Sequence, residues 1–161
     1  MKTPASVRNH PIHPMLITIP IGLWLFALVC DLIGLRSIHP DLWFVVSLYA
    51  MIGGILGALL AAIPGLIDLL SLRDRTHRRV ALTHMTLNLV IVALYVANVW
   101  LRITDPTHIV PHLVMSAVSV LMLAVSGWLG GSLVHVHGVG VLAAGEHAHS
   151  QDAGRAAPPR R

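Results

Sequence analysis

Four apolar runs, over residues 15–35, 42–70, 80–103 and 109–134, leave this chain few folds to choose from. A hydrocarbon core about 30 Å thick is crossed by roughly 20 helical residues, and each run reaches that length. In lipid the backbone must pair its own N–H and C=O groups, so runs of this kind are read as helices. Composition agrees: 55% of residues are hydrophobic and 11% charged, far from a soluble balance. With 161 residues there is room for one domain. The expected fold is all-α, an integral membrane four-helix transmembrane bundle. A short segment over residues 1–14 precedes the bundle at 15–141, and a tail over 142–161 is expected to be disordered.

The net charge of +4 raises the question of nucleic acid, and its distribution answers it. Lys2, Arg8, Arg73, Arg75, Arg78, Arg79, Arg155, Arg160 and Arg161 fall on the face that carries both termini, against Arg36 and Arg102 on the other. That asymmetry is the positive-inside pattern, which places both termini and the middle loop in the cytoplasm of a multi-pass protein of the bacterial inner membrane. Basic loops beside membrane helices orient the chain and touch anionic lipid, so the partner is the bilayer rather than nucleic acid. Cys30 is the only cysteine, which excludes intrachain disulfides and C-x-x-C metal sites; deep in an apolar run it packs as a small hydrophobe. No A-x-A-like cleavage site follows the first run, which is therefore expected to stay as the first helix.

Along the chain, Pro20 is placed to kink the first helix. Gly53, Gly57, Ala61 and Gly65 recur every four residues, a small-residue stripe that lets membrane helices approach closely. The same stripe is the candidate surface if the protein is an assembly partner of another membrane protein. Pro64-Gly65 is expected to bend or break the second helix, leaving residues 66–70 as a distinct last turn. The short basic stretch 71–79 makes the second and third helices antiparallel neighbours.

Ionisable groups within membrane helices are costly, so they pair, face the bundle interior or serve function. An even number of crossings returns the chain to its starting face, where His13, Asp68, His84, His135 and His137 can converge. His84 shares a helical face with Asn88 and Tyr95. Its plainer role is a neutral histidine bonded to backbone or to Asp68, just as His13 can simply anchor the first helix. Imidazoles and a carboxylate suit a transition-metal ion. Two histidines on different helices suit the axial positions of a non-covalent b-type haem, with Arg78 and Arg79 near its propionates. Asp68 would then orient a ligand imidazole. On the other face, Asp31, Asn98, Arg102, His108 and His112 form a second polar set, in which Asp31 and Arg102 read as a structural ion pair.

The stretches HPIHPMLITIPIGL at 10–23, GLIDLL at 65–70, RRVALTHMTLN at 78–88 and GGSLVHVHGVGV at 130–141 together resemble the DUF2231 family of predicted bacterial four-helix membrane proteins. The resemblance falls on His13, Pro20, Gly22, Asp68, His84, Asn88, Gly130, Gly131, His137 and Gly138. Thr18, Leu69 and Ser132 stand where members often carry a histidine, a tryptophan and an acidic residue. Some relatives are joined to Rieske-type iron–sulfur domains, which implies a Rieske-type redox partner. The reading is a His/Asp cluster holding a redox or metal cofactor for membrane electron transfer, haem ahead of a bare ion. A proton or metal-ion transporter, or an assembly partner without cofactor, are the alternatives, and a chain this small is a candidate homodimer. A conventional enzyme is disfavoured, since no nucleophile–base motif or nucleotide loop is present.

Overall fold

The computed structural model describes residues 4–7 and 10–135. A small antiparallel hairpin, β1 (Ser6–Val7) with β2 (His10–Pro11), leads into α1 (Ile12–Leu16) and α2 (Thr18–Gly34). Then follow α3 (Pro40–Ser71), α4 (Arg75–Thr104) and α5 (Ile109–His135). α1 and α2 together form one span, Ile12–Gly34, and the other three are Pro40–Ser71, Arg75–Thr104 and Ile109–Val134. The spans run up and down in turn. One pole gathers the hairpin, the α3–α4 loop and the end of α5; the far pole gathers the α2–α3 and α4–α5 loops. Arg73, Arg75, Arg78 and Arg79 are exposed at the first, here the basic pole. The tail over 142–161, with His137, lies outside the described residues.

Burial is arranged for a lipid solvent. Leu25, Phe26, Leu56, Leu59, Leu121 and Val125 are exposed, whereas Asp31, Ser47, Asn98, His112, Ser116, Ser119 and Ser126 are buried. The inward positions repeat at alternating steps of four and three: 84, 88, 91, 95, 98 and 102 on α4, and 112, 116, 119, 123, 126, 130 and 133 on α5. Such a repeat keeps one face of each helix against its neighbours over the whole bundle. Polar residues take most of these positions toward the poles. Between them lies an apolar waist, where Trp24 stacks on Tyr95 with ring centroids 4.3 Å apart, packed with Met51, Ile91 and Leu123.

The two expected proline effects came out differently. Pro20 has no N–H for the carbonyl of Leu16, and the first span is interrupted there, at Ile17, between α1 and α2. Pro64, by contrast, sits inside an unbroken α3, so residues 66–70 are not a separate turn. Membrane helices tolerate proline where neighbours satisfy the backbone groups it disturbs. Here the His13 ring bonds the carbonyl of Ala61 in that same turn, 2.8 Å away.

The small-residue stripe is covered by this chain's own first span. A side chain at Gly57 would meet Ile19 at 2.9 Å and Pro20 at 3.2 Å, one at Gly53 would meet Leu23 at 3.1 Å, and one at Gly54 would collide with the Trp24 indole. The stripe is thus an internal seam and leaves no face for another membrane protein. Gly57→Leu is expected to cost about 1–3 kcal/mol or more by overpacking. Gly22→Ala, with open space around its position, should be neutral or slightly stabilising. Unfolding midpoints in detergent check both; equal midpoints for the two variants would refute the seam.

Candidate functional site

At the basic pole, His13 from α1 and His84 from α4 meet edge to face, with ring centroids 6.3 Å apart and planes at 89°. Each ring is seated against a glycine of a neighbouring helix. A Cβ on Gly65 would lie 2.8 Å from Nδ1 of His13, and one on Gly130 would lie 3.0 Å from Cε1 of His84. A side chain at Gly65 would force the His13 ring to shift, and one at Gly130 would crowd the His84 ring.

Both rings have a defined tautomer. Nδ1 of His13 lies 2.8 Å from the Ala61 carbonyl, and Nδ1 of His84 lies 2.9 Å from the Ser126 carbonyl. A carbonyl can only accept, so Nδ1 carries the proton in each ring, and in the neutral ring Nε2 keeps its lone pair. The Asn88 side-chain nitrogen lies 3.1 Å from Nε2 of His84, and its two hydrogens go to the nearer Ser126 Oγ and His84 carbonyl, each at 2.8 Å. His84, Asn88 and Ser126 therefore form one network across the α4–α5 seam.

Asp68 is engaged with backbone rather than with the ring of His13 or His84. Its Oδ1 accepts the backbone N–H of Ala5 at 3.0 Å, and Ala5 in turn receives the Ile12 N–H on its carbonyl at 3.0 Å. Asp68 thus ties the N-terminal hairpin to the end of α3, and no described imidazole bonds to it. Among the described residues no three His, Cys, Asp or Glu side chains are grouped to hold an ion. His135 ends α5, while its side chain and His137 lie outside what is described. Arg78 and Arg79 are exposed in the first turns of α4, just ahead of His84.

The far pole carries a larger network. Arg102 grips Asp31 through both terminal nitrogens, NH1 to Oδ1 at 2.8 Å and NH2 to Oδ2 at 2.6 Å. Nε donates to Asn98 at 3.0 Å, and the two remaining hydrogens point to Ser47 at 3.5 Å and Ser116 at 3.3 Å. Asn98 donates to Ser116 Oγ and to the His112 carbonyl. All four spans contribute, so the expected Asp31–Arg102 pair is also the clamp of that end. His108 stands apart from it, exposed and bonded to Asp105 at 2.7 Å.

Residues 9–143 match the family described as Predicted membrane protein (DUF2231). The chain belongs to the DUF2231 family. No curated protein and no solved structure matches it. The family resemblance separates the two poles: His13, Asp68, His84, Asn88, Gly130 and Gly131 all sit at the basic one, and no position it rests on lies in the Asp31–Arg102 network. At the three positions where the resemblance leads one to expect other residues, the side chains bond or pack locally. Thr18 bonds the Met15 carbonyl, Ser132 bonds the Leu129 carbonyl, and Leu69 packs with Leu72, Ala81 and Leu133. Residue types alone did not reveal the carbonyls of Ala61 and Ser126 that orient the two rings. The small residues one helix away, Gly65 and Gly130, were the available signal.

Removing Arg102 leaves the Asp31 carboxylate buried and unpaired. Arg102→Ala is expected to cost about 3–5 kcal/mol, whereas the double replacement Asp31→Leu with Arg102→Met should recover most of that loss. Detergent unfolding of the single and double variants measures it, and a double variant no better than Arg102→Ala would argue against a simple charge clamp.

Proposed function

We propose that this DUF2231 protein binds a b-type haem between His13 and His84 and carries electrons at the membrane. The observation that supports it is the His13–His84 pair itself. His13 and His84 would hold the group through Nε2, the ring nitrogen that the backbone carbonyls of Ala61 and Ser126 leave free in each. The donor set also favours haem over a bare ion. A haem would take two imidazoles from the protein, which is what this pair offers.

The chain's own residues prepare the pair. The carbonyls of Ala61 and Ser126 hold Nδ1–H of each ring, which fixes ring orientation and raises the basicity of Nε2. Asn88, beside Nε2 of His84, has Ser126 Oγ and the His84 carbonyl as acceptors, which leaves that nitrogen free. Gly65 and Gly130 make room for the rings. Arg78 and Arg79 stand exposed on the same pole, suited to charge-assisted bonds with carboxylates. When bound, haem supplies one-electron redox chemistry. We place the basic pole in the cytoplasm of the bacterial inner membrane, where a Rieske-type protein would be the electron partner.

Protein purified from haem-replete cells is expected to show a sharp reduced α-band at about one haem per chain. His84→Ala and His13→Ala should each lose the band, and Gly130→Val should lower haem content by displacing the His84 ring. A His84→Ala protein with full haem content would falsify the assignment.

A second reading, proton conduction, rests on the polar face of α5, where Ser116, Ser119 and Ser126 are buried in line beside the α4 groups. It requires pH-driven flux in vesicles by colourless protein.

A further inference from the structure

Beside the Asp31–Arg102 clamp, a cavity of about 200 Å³ opens between the start of α3, the α4–α5 loop and the start of α5. Phe44, Leu48 and Leu113 form much of its wall, and Asp31, Arg102 and His112 reach it from inside. His112 is 5% exposed, and its carbonyl is taken by Asn98, but no described residue offers its imidazole a hydrogen bond. A buried polar group without a partner is costly, so this ring is set to be completed from outside the chain.

The charge state of the pocket narrows what can complete it. All five hydrogens of Arg102 already have acceptors, and both Asp31 oxygens are held by it. The pair is neutral as a unit and has no donor left for an anion. What remains on the lining is the neutral His112 imidazole, able to donate one hydrogen bond and accept another, and the Asp41 carboxylate, which adds an acceptor and further disfavours an anion. Leu42, Val45 and Val110, on the outer surface around the cavity, are exposed and apolar, so access is from the lipid side.

We infer that this cavity binds the headgroup of a lipid-soluble quinone or quinol, with a ring oxygen on the His112 imidazole and the ring against Phe44, Leu48 and Leu113. The choice of quinone among neutral, lipid-soluble carbonyl or hydroxyl compounds rests on the redox reading above. The binding itself does not.

The test uses the full chain in nanodiscs and a short-chain benzoquinone with a decyl tail, its retention measured by equilibrium dialysis against empty nanodiscs. Saturable retention of about one molecule per chain beyond bilayer partition is expected. His112→Leu should weaken it about tenfold, the equivalent of one hydrogen bond, and Leu113→Trp should abolish it by filling the cavity. Both variants should stay monodisperse with unaltered haem content, which guards against simple misfolding. Retention no greater than that of empty nanodiscs, or equal retention by wild type and both variants, overturns the inference. His84→Ala separates the two readings: haem lost with quinone still bound leaves both standing. Quinone bound by a wild-type chain that never carries haem sinks the cofactor reading alone, and haem without quinone sinks the inference alone.

Discussion

Every polar group that this bundle turns inward has hydrocarbon behind it, and the architecture follows from how each one finds a partner. Hydrogen bonds that water would supply to a soluble protein must come from neighbouring spans. Arg102 illustrates the demand: its five donors find Asp31 twice, Asn98, Ser47 and Ser116, on all four spans. His84, Asn88 and Ser126 do the same at the other pole on a smaller scale. Against that background the exceptions carry information. The Tyr95 hydroxyl is buried with no partner among the described residues, and the His112 imidazole has none either. One lies in the packed waist and one lines a cavity, so only the second can be satisfied by a visitor.

Close approach of backbones makes the first pole possible. The interruption at Ile17 gives the first span a short α1 that turns His13 toward α3. The seam of Gly53, Gly57 and Ala61 brings α3 near enough for that ring to reach the Ala61 carbonyl across 48 positions of sequence. Asp68 then fastens the hairpin through Ala5. The carboxylate expected to orient an imidazole belongs to the scaffold that holds one imidazole in place.

Much of this was legible in residue types and spacing. Run lengths gave four spans, the four-residue glycine repeat marked a close contact, and a lone buried Asp and Arg on one face had few options but each other. His84 and Asn88 were placed on a common face by their separation of four. What escaped were contacts to backbone. Ala5 N–H, Ala61 C=O and Ser126 C=O have no signature in residue identity, yet they decide the roles of Asp68, His13 and His84. Pro64 escaped as well: it withholds an N–H from the Leu60 carbonyl, yet α3 runs through it unbroken.

The waist bears on which kind of charge can cross the bundle. A proton moves along an unbroken chain of hydrogen-bonding groups, whereas an electron needs no such chain. Between Asn88 and Tyr95 the inward position on α4 is Ile91, and between Ser119 and Ser126 the one on α5 is Leu123. Both are packed with Trp24, Met51 and Ala27, and the Trp24 indole is already engaged, donating to the Met51 carbonyl. The line of polar groups is thus broken at the same level on both helices that carry it. That break favours two separate sites, one histidine pair and one clamp with its cavity, over a single wire joining the poles.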